Sequence, residues 1–327
     1  MTRLSRELAL RTGLSEAIVI QVIRTAPIRY KEFLIPKRNG GMRQVSQPSR
    51  EVKALQRALG DYLLERLPVH GAATAYRPGK SIRHNAEAHA NSGAIVKLDF
   101  KDFFPSIVSR DWKAYCVRAA LVESEEEIEQ TTSLLFRKTK ENRRLHLAVG
   151  APTSPMLSNI LMFEFDKSIE ALVSRDKVRY TRYADDLTFS GPRAGHLRNV
   201  LSDVQGLLKR MASPKLVLNH NKTVFATAKY KRQITGLVLA NDGRVTIGDE
   251  KRRLVRARVH HAVLGRLDKQ ELRSLSGYLA FINSVEPTFL ATLRHSYGAA
   301  IVDELLHLVP EEQGELFSRA AGQAGDF

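Results

Sequence analysis

The sequence predicts an α+β fold, an antiparallel sheet covered by helices, and three observations carry that prediction. The pair Asp185-Asp186 stands at a turn between residues 178–183 and 187–191, whose β-branched and aromatic side chains are typical of strands. An Asn39-Gly40 pair between two further strand-like segments is a strong hairpin signal. The last third of the chain has a helical pattern. Strands joined by such tight turns pair in antiparallel fashion.

Helical patterns account for most of the remaining chain. Residues 4–26 form short helices interrupted at Thr12-Gly13, with an apolar stripe expected to face inward at Leu8, Leu10, Leu14, Ile18, Val22 and Ile23. Further helices are predicted at residues 51–67, 81–91, 110–140, from Ser154 onward, at 194–211 and after 250. Ser154 is the expected N-cap of its helix and Pro155 the first-turn proline. The acidic run from Glu123 to Glu129 is interpreted as a solvated face.

The charge balance narrows the kind of partner. The chain has 327 residues, 43% of them hydrophobic, which is enough for a sizeable core and for two or three structural units. Lys and Arg total 51 against 35 Asp and Glu, giving a net charge of +16 and a pI near 10.0, so a polyanion is expected. Nucleic acid is favoured over a membrane, because long apolar segments and the apolar core of a signal peptide are both missing. The single cysteine, Cys116, excludes a disulfide framework and fits a reducing, cytoplasmic location.

Three acidic residues stand at strand ends. Asp99 ends the apolar strand 94–99, where a carboxylate is costly unless it is paired or bound to a metal. Asp185-Asp186 alone would be an ordinary solvated turn, but beside Asp99 in one sheet the pair predicts a cluster that holds two Mg²⁺ ions for nucleotidyl transfer. Lys37 and Arg43, on the two arms of the Asn-Gly hairpin, are expected to grip a triphosphate.

Seven motifs occur in the order typical of reverse transcriptases, and the chain most closely resembles the enzymes of bacterial retrons. They are IPKRNGGMR at 35–43, NAEAH at 85–89, LDFKDFFPSI at 98–107, GAPTSPMLSN at 150–159, YADD at 183–186, Leu218-Asn219 with Lys222-Thr223, and ITG at 234–236. The resemblance implies a right-hand polymerase with fingers, an antiparallel-sheet palm and a helical thumb. The expected division is an N-terminal helical segment at 1–28, interleaved fingers and palm at 29–250, and the thumb at 251–327.

The resemblance also implies roles for individual residues. Asp99, Phe100, Asp185 and Asp186 would bind the catalytic Mg²⁺ ions, Asp186 less directly than the other two aspartates, and Mn²⁺ could substitute for Mg²⁺. Phe104 would be a steric gate whose ring excludes a ribose 2′-hydroxyl, and Lys222 would protonate or stabilise the pyrophosphate leaving group. Contacts to the dNTP are implied at Lys37, Arg43, Phe100, Phe104 and Gly150. Contacts to nucleic acid are implied at Asn85, His89, Tyr183, Thr235, Gly236, Lys251, Arg252 and Arg256.

One position and one pair of residues leave alternatives open. Val149 stands where the family usually has a glutamine that could contact the sugar of the nucleotide, and because valine cannot make that contact, nucleotide affinity or fidelity is expected to differ. Asn85 and His89 are four residues apart and share one helix face. They either recognise the cognate RNA or form local structure, with the histidine bound to a loop carbonyl.

The implied activity is RNA-templated DNA synthesis from dNTPs. In a retron the template is a structured non-coding RNA whose 2′-hydroxyl primes synthesis, the product is a branched RNA–DNA, and an effector protein acts in anti-phage defence. The alternatives are another bacterial reverse transcriptase, such as a group II intron or abortive-infection enzyme, or an RNA-binding scaffold for the effector. A group II enzyme would usually continue into a maturase region, whereas this sequence ends at Phe327.

Overall fold

The computed structural model describes residues 2–36, 40–121, 124–139 and 144–308. The helices are α1 (Arg3–Thr12), α2 (Glu16–Thr25), α3 (Arg50–Tyr62), α4 (Ile82–Glu87), α5 (Phe103–Ser106), α6 (Ser109–Ala119), α7 (Glu125–Leu135), α8 (Ser154–Leu161), α9 (Phe163–Ser174), α10 (Val200–Arg210), α11 (Asp249–Val263), α12 (Lys269–Val285), α13 (Pro287–Tyr297) and α14 (Ala299–Leu306). The strands are β1 (Tyr30–Pro36), β2 (Met42–Pro48), β3 (Ala94–Asp99), β4 (Arg179–Tyr183), β5 (Asp186–Gly191), β6 (Val224–Thr227), β7 (Arg232–Ile234), β8 (Leu237–Leu239) and β9 (Val245–Thr246). None of the helices in these ranges is long and apolar enough to cross a membrane.

The chain divides into two compact units. The first contains residues 1–81 and 92–227, and the second contains residues 82–91 and 228–327. The short helix α4 therefore belongs to the second unit, although it lies between two segments of the first. The predicted functional division at residues 28 and 250 is not tested by this partition and stays a prediction.

A four-stranded antiparallel sheet lies at the centre of the first unit, in the order β4-β5-β3-β6. Strand β3 is buried along nearly its whole length, which is why its sequence is almost continuously apolar. The core around it includes Leu98, Phe165 and Phe189. A separate two-stranded ribbon, β1 with β2, confirms the hairpin predicted from Asn39-Gly40, although the turn residues 37–39 lie outside the described residues.

The helix predictions hold in type but not in every boundary. The 110–140 segment is two helices, α6 and α7, and the segment after Ser154 is also two, α8 and α9, which meet at Met162. The N-cap of α8 is Thr153 and not Ser154, so the prediction was one residue late. Leu10 and Ile18 are 80% and 44% exposed, so they do not belong to the buried stripe of α1 and α2.

In the acidic run predicted to be a solvated face, Glu125, Glu126 and Glu129 are exposed as predicted, and Glu123 lies outside the described residues. Glu127 contradicts the prediction. It is 6% exposed, and its carboxylate accepts a hydrogen bond of 2.9 Å from the backbone N–H of Leu4. A carboxylate near the start of a helix is stabilised by the unpaired N–H groups there. Glu127 thus connects α7 to the beginning of α1.

In the second unit, β7, β8 and β9 form a three-stranded antiparallel sheet, which α4 contacts. Helices α11 to α14 follow it and bury one another's apolar faces through Val259, Leu275, Leu279, Ile282 and Leu290. Antiparallel sheets with helices in both units agree with the predicted α+β class.

Candidate active site

Two of the predicted metal-binding carboxylates are brought together by strand register. Asp99 at the end of β3 lies directly opposite Asp186 at the start of β5. Residues directly opposite in an antiparallel pair have their Cβ atoms roughly 5 Å apart and point to the same face of the sheet. Two like charges at that separation repel each other, so this pairing is unfavourable unless a cation or a proton intervenes.

The third carboxylate, Asp185, is held by the turn between β4 and β5. Ala184 in this turn has φ = 58°, a left-handed conformation that is strained for a residue with a Cβ. The backbone carbonyl of Asp185 accepts a hydrogen bond of 3.1 Å from the N–H of Phe100, the residue after Asp99. The β4–β5 turn is therefore bound to the end of β3, and all three aspartates belong to one edge of the sheet.

Lys222, for which the resemblance implies a role at the leaving group, lies beside this cluster. It ends a 3-10 turn, His220–Lys222, and its Nζ lies 2.8 Å from Oδ2 of Asp99. The backbone N–H of Asn219 donates to the carbonyl of Asp99 over 2.7 Å and fixes that turn beside β3. The other carboxylate oxygen of Asp99, Oδ1, is buried and has no hydrogen-bond partner among the described residues.

The pKa values of these residues are shifted because charged side chains lie close together and are partly buried. Burial, reinforced by the charges of Asp185 and Asp99, raises the pKa of Asp186 to about 6. Burial and the charge of Asp99 also raise the pKa of Asp185, against a lowering contribution from its own backbone N–H. The hydrogen bond to Asp99 raises the pKa of Lys222, which keeps this ammonium charged. The cluster thus resists holding all its carboxylates ionised without added positive charge.

The residues present fit a hard divalent cation. Oδ1 of Asp99 is a buried acceptor with no donor among the described residues, and burial together with neighbouring carboxylates raises the pKa values of Asp185 and Asp186, which a bound cation would oppose. In the described ranges, no three His, Cys, Asp or Glu side chains are arranged so that they could hold a metal ion by themselves. Mg²⁺ needs only one or two protein carboxylates, since water and substrate phosphates supply its other ligands.

The β1–β2 ribbon brings Arg43 towards the cluster. Arg43 on β2 pairs with Ile35, and its charge lowers the pKa of Asp185. The other predicted phosphate-binding residue, Lys37, lies outside the described residues. Gly150 packs against β2, where an added Cβ would lie 2.9 Å from Cγ1 of Val45 and 3.1 Å from the carbonyl oxygen of Ser46. The carbonyl of Val149 accepts a 2.7 Å hydrogen bond from the N–H of Ser46, so these residues attach the ribbon through their backbone.

The two predicted aromatic positions differ in exposure. The ring of Phe100 is buried and stacks on Phe103 at a centroid distance of 5.6 Å, so only the main chain of Phe100 is available to a ligand. Phe104 is partly buried and lies between Phe103 at 5.5 Å and Tyr76 at 6.5 Å. Tyr183, also predicted to contact nucleic acid, is opposite Asp186 in the β4–β5 pair and is half-buried.

A buried polar network that the sequence analysis missed supports the β4–β5 turn. Arg182 on β4 and Asp166 on α9 are fully buried and form a two-bond ion pair, Nε to Oδ1 at 2.8 Å and Nη2 to Oδ2 at 2.7 Å. Nη1 of Arg182 also donates to Asn159 over 3.0 Å and to the carbonyl of Ala184 over 3.1 Å. An arginine inside a buried strand and an aspartate inside an apolar helix stripe were the signals that could have revealed the pair.

The remaining predicted nucleic-acid contacts lie in the second unit. Asn85 and His89 are both fully buried, which favours the structural alternative for this pair. Thr235 and Gly236, with φ of 47° and 85°, form the two-residue turn between β7 and β8. A two-residue hairpin turn requires this left-handed geometry, which favours glycine.

Three basic residues predicted to bind nucleic acid belong to α11. Lys251 donates to the carbonyl of Gly236 over 3.1 Å. Arg252 is paired with buried Glu286, and its guanidinium carbon lies 5.6 Å from the ring centre of Phe289. Arg256 lies 5.1 Å from the same ring and is exposed. Arg256 is therefore better placed than Arg252 to reach a phosphate.

Comparison with known proteins identifies the family. Residues 35–239 match the family described as "Reverse transcriptase (RNA-dependent DNA polymerase)". The retron Ec83 reverse transcriptase of Escherichia coli is 34% identical over 283 residues, which cover 84% of this chain and 89% of that protein. The retron Ec86 enzyme of the same species is 32% identical over 296 residues, 88% of each chain. The retron Mx162 enzyme of Myxococcus xanthus is 35% identical over 297 residues, 81% of this chain and 60% of its own.

Among solved structures, a telomerase from Candida albicans in complex with a telomeric RNA fragment covers 88% of this chain and 62% of its own at 14% identity. Its TM-score of 0.46 is too low to carry an argument. The family match confirms the predicted right-hand polymerase fold and the predicted enzyme class, an RNA-directed DNA polymerase, a class that generally uses divalent metal ions. The chain belongs to the reverse transcriptases and, within them, to the retron reverse transcriptases of bacteria.

Proposed function

We propose that this enzyme copies one cognate structured non-coding RNA into DNA, starting from a 2′-hydroxyl of that RNA and leaving a branched RNA–DNA product. The similarity to several retron enzymes at 32–35% identity over most of the chain is the observation that carries this proposal. It also favours a retron over a group II intron or abortive-infection enzyme. The branch and the RNA are properties expected of the system to which such an enzyme belongs.

The carboxylate cluster is the proposed catalytic centre. Asp99, Asp185 and Asp186, with the main chain of Phe100, would hold Mg²⁺, which Mn²⁺ could replace. The orphaned Oδ1 of Asp99 and the raised pKa values of the other two carboxylates support this assignment. When bound, the metal activates the attacking hydroxyl and offsets the charge of the transferring phosphate.

Side chains and backbone of the protein would orient the nucleotide and stabilise the negative charge of the leaving group. Arg43, whose charge reaches Asp185, would bind the triphosphate together with Lys37. Gly150 would let the backbone approach the nucleotide, and Phe104 would exclude a 2′-hydroxyl. Lys222 would donate a proton to pyrophosphate or stabilise its charge, and its contact with Asp99, which raises the pKa of Lys222, supports this role.

The proposed partners are the non-coding RNA, its DNA product, dNTPs and an effector protein, with anti-phage defence as the biological role and the cytoplasm as the location. The net charge of +16 supports a nucleic-acid partner. The turn at Thr235-Gly236 is the proposed contact to the primer end. The exposed basic side chains of α11 are the proposed contacts to the duplex backbone.

Expression with the native upstream region, followed by analysis of copurifying nucleic acid, tests the proposal. We expect a short DNA that keeps an RNA after denaturation and becomes linear with a debranching enzyme. It should vanish in Asp185→Asn and persist in the control Asp176→Asn, which changes an exposed carboxylate at the end of α9. Linear DNA would point to another class of reverse transcriptase, and bound RNA without DNA would favour the scaffold.

A further inference from the structure

Tyr76 combines three properties that an ordinary loop residue rarely has. It is 47% exposed, it is aromatic, and its φ of 58° lies in the left-handed region. A side chain with a Cβ costs free energy in that conformation, and glycine or asparagine would avoid most of the cost. Strain of this kind persists only where the surrounding structure enforces it, and it is concentrated at functional sites.

The surrounding structure does fix this loop. The carbonyl of Ala75, just before Tyr76, accepts a 2.9 Å hydrogen bond from the buried amide of Asn159. The N–H of Thr74 donates to the carbonyl of Arg182 over 2.8 Å. Asn159 and Arg182 are the same residues that support the β4–β5 turn at Ala184. The loop carrying Tyr76 and the turn carrying Asp185 therefore share one buried support.

The ring of Tyr76 lies within the candidate active site. Its centroid is 6.5 Å from that of Phe104, at an interplanar angle of 50°. Burial and the charges of Asp185 and Tyr183 raise the pKa of Tyr76, whereas the charge of Arg43 lowers it. Phe104 thus has two aromatic neighbours, the buried ring of Phe103 at 5.5 Å and the partly exposed ring of Tyr76 at 6.5 Å.

We infer that Tyr76 is a positioning residue for sugar selection, whose ring braces Phe104 from its exposed side. This inference rests on the proposed role of Phe104 as the gate against a ribose 2′-hydroxyl. A gate excludes a hydroxyl only if its ring cannot swing away, because an aromatic side chain that loses a neighbour gains rotamer freedom. Tyr76 supplies that neighbour, and the shared support through Asn159 and Arg182 holds it in register with Asp185.

Discrimination between dATP and ATP, as the ratio of the two kcat/KM values, is the property to measure. Tyr76→Gly removes the ring and suits the left-handed backbone. We expect it to lower discrimination roughly 10-fold, chiefly through a lower KM for ATP, with an unchanged or higher Tm. Tyr76→Phe keeps the ring and should keep discrimination. Phe104→Val should lower discrimination at least as much, and adding Tyr76→Gly to it should change little more, since the two act as a unit.

Lys177→Gly is the matched control, since Lys177 is exposed, has the same φ of 58° and lies between α9 and β4. It should raise Tm without altering discrimination. If Phe104→Val keeps discrimination, the gate assignment itself fails and this inference with it. If Phe104→Val loses discrimination while Tyr76→Gly keeps it, only the role of Tyr76 is overturned. Tyr76→Asn, which also tolerates the left-handed backbone, decides the question if the glycine variant does not fold.

Discussion

At Asp186, the fold makes a charged carboxylate unfavourable, although the proposed metal binding needs that charge. Its carboxyl lies opposite Asp99 and next to Asp185, and burial with these charges raises its pKa from 3.8 to about 6. A raised carboxyl pKa means that the folded chain binds more protons than the unfolded chain between these two values. Stability is therefore lost as pH rises from 3.8 through 6, and the loss is complete above pH 6.

Asp186→Asn should consequently stabilise the protein at pH 7.5 in EDTA. The shift of about two pH units corresponds to at most ~3 kcal/mol, or a rise in Tm of several degrees. The gain should shrink towards pH 4, where the carboxyl is protonated. Thermal melts of both proteins at the two pH values measure it, with Asp176→Asn as the control. A lower Tm for Asp186→Asn at pH 7.5 would contradict the electrostatic account.

The position of Lys222 leads to a second prediction for a single residue. Its ammonium lies 2.8 Å from Asp99 and is 60% exposed, so it is available to a leaving group. General-acid catalysis contributes roughly 10²- to 10⁴-fold, and Lys222→Met should therefore lower single-turnover kcat by about 100-fold with little change in KM for dNTP. Lys215→Met, an exposed lysine that binds the carbonyl of Met211, should be neutral. An equal rise in KM with unchanged kcat would instead assign Lys222 to ground-state binding.

The functional importance of some of these residues could be predicted from the sequence, and that of others could not. Asp99 could be predicted because a carboxylate that ends a buried strand needs a partner or a metal, whereas Lys222 was assigned only through the resemblance of its motif, and its contact with Asp99 was not foreseen. Tyr76 could not be singled out, because the sequence does not reveal that Phe104, distant along the chain, packs beside it. Asn85 and His89 were left open, and only their complete burial favours a structural role.

At the scale of elements, the β4–β5 hairpin depends on the Arg182–Asp166 pair. Both side chains are fully buried, and Arg182 also bonds the carbonyl of strained Ala184. Removing one partner of a buried pair typically costs about 3–5 kcal/mol, because it leaves the other charge unpaired in the interior.

Arg182→Met should therefore destabilise the protein strongly, and Arg182→Met with Asp166→Leu should recover part of the loss. Urea denaturation of the two single variants and the double variant gives the coupling free energy. The exposed pair Arg83–Glu87 on α4 is the control, and its removal should cost less than ~1 kcal/mol. Strictly additive losses at Arg182 and Asp166 would show that the pair does not act as a unit.

Local pattern predicted the elements better than their ends. The strand at 94–99 and the hairpins arise from nearby residues, so their signals are complete within a short window. No proline or glycine marks the break at Met162 between α8 and α9 in the sequence. The apolar stripe also continues across the break through Leu161 and Phe165. Exposed Leu10 and Ile18 fit the stripe by spacing, yet they meet no partner in the core.

At the scale of the whole molecule, the partition into two units was beyond the reach of local patterns. Residues 82–91 leave the first unit, α4 packs against β7, β8 and β9 of the second unit, and the chain then returns to the first unit at β3. Such a discontinuous unit is defined by contacts between distant segments. The excess of positive charge, in contrast, is a property of composition alone and predicted a polyanionic partner, which the lack of long apolar segments narrowed to nucleic acid.

That charge leads to a prediction in which two neighbouring arginines on α11 should behave differently. RNA binding should weaken steeply with salt, since each neutralised phosphate releases counterions. Arg256 is exposed, and Arg256→Gln should reduce the slope of log Kd against log salt by about 1. Arg252 contacts the same Phe289 ring but forms an ion pair with Glu286, which is only 4% exposed. Arg252→Gln should leave the slope nearly unchanged and lower Tm, because Glu286 loses its partner.

Filter-binding titrations from 50 to about 400 mM KCl, with melts of each variant, separate these effects. A variant that acts through RNA changes the slope at constant Tm, and a variant that acts through the fold changes Tm at constant slope. Equal slopes for wild type and Arg256→Gln would remove Arg256 from the nucleic-acid surface. A reduced slope for Arg252→Gln at unchanged Tm would mean that RNA draws Arg252 away from Glu286, and the pair would then be a contact exchanged on binding.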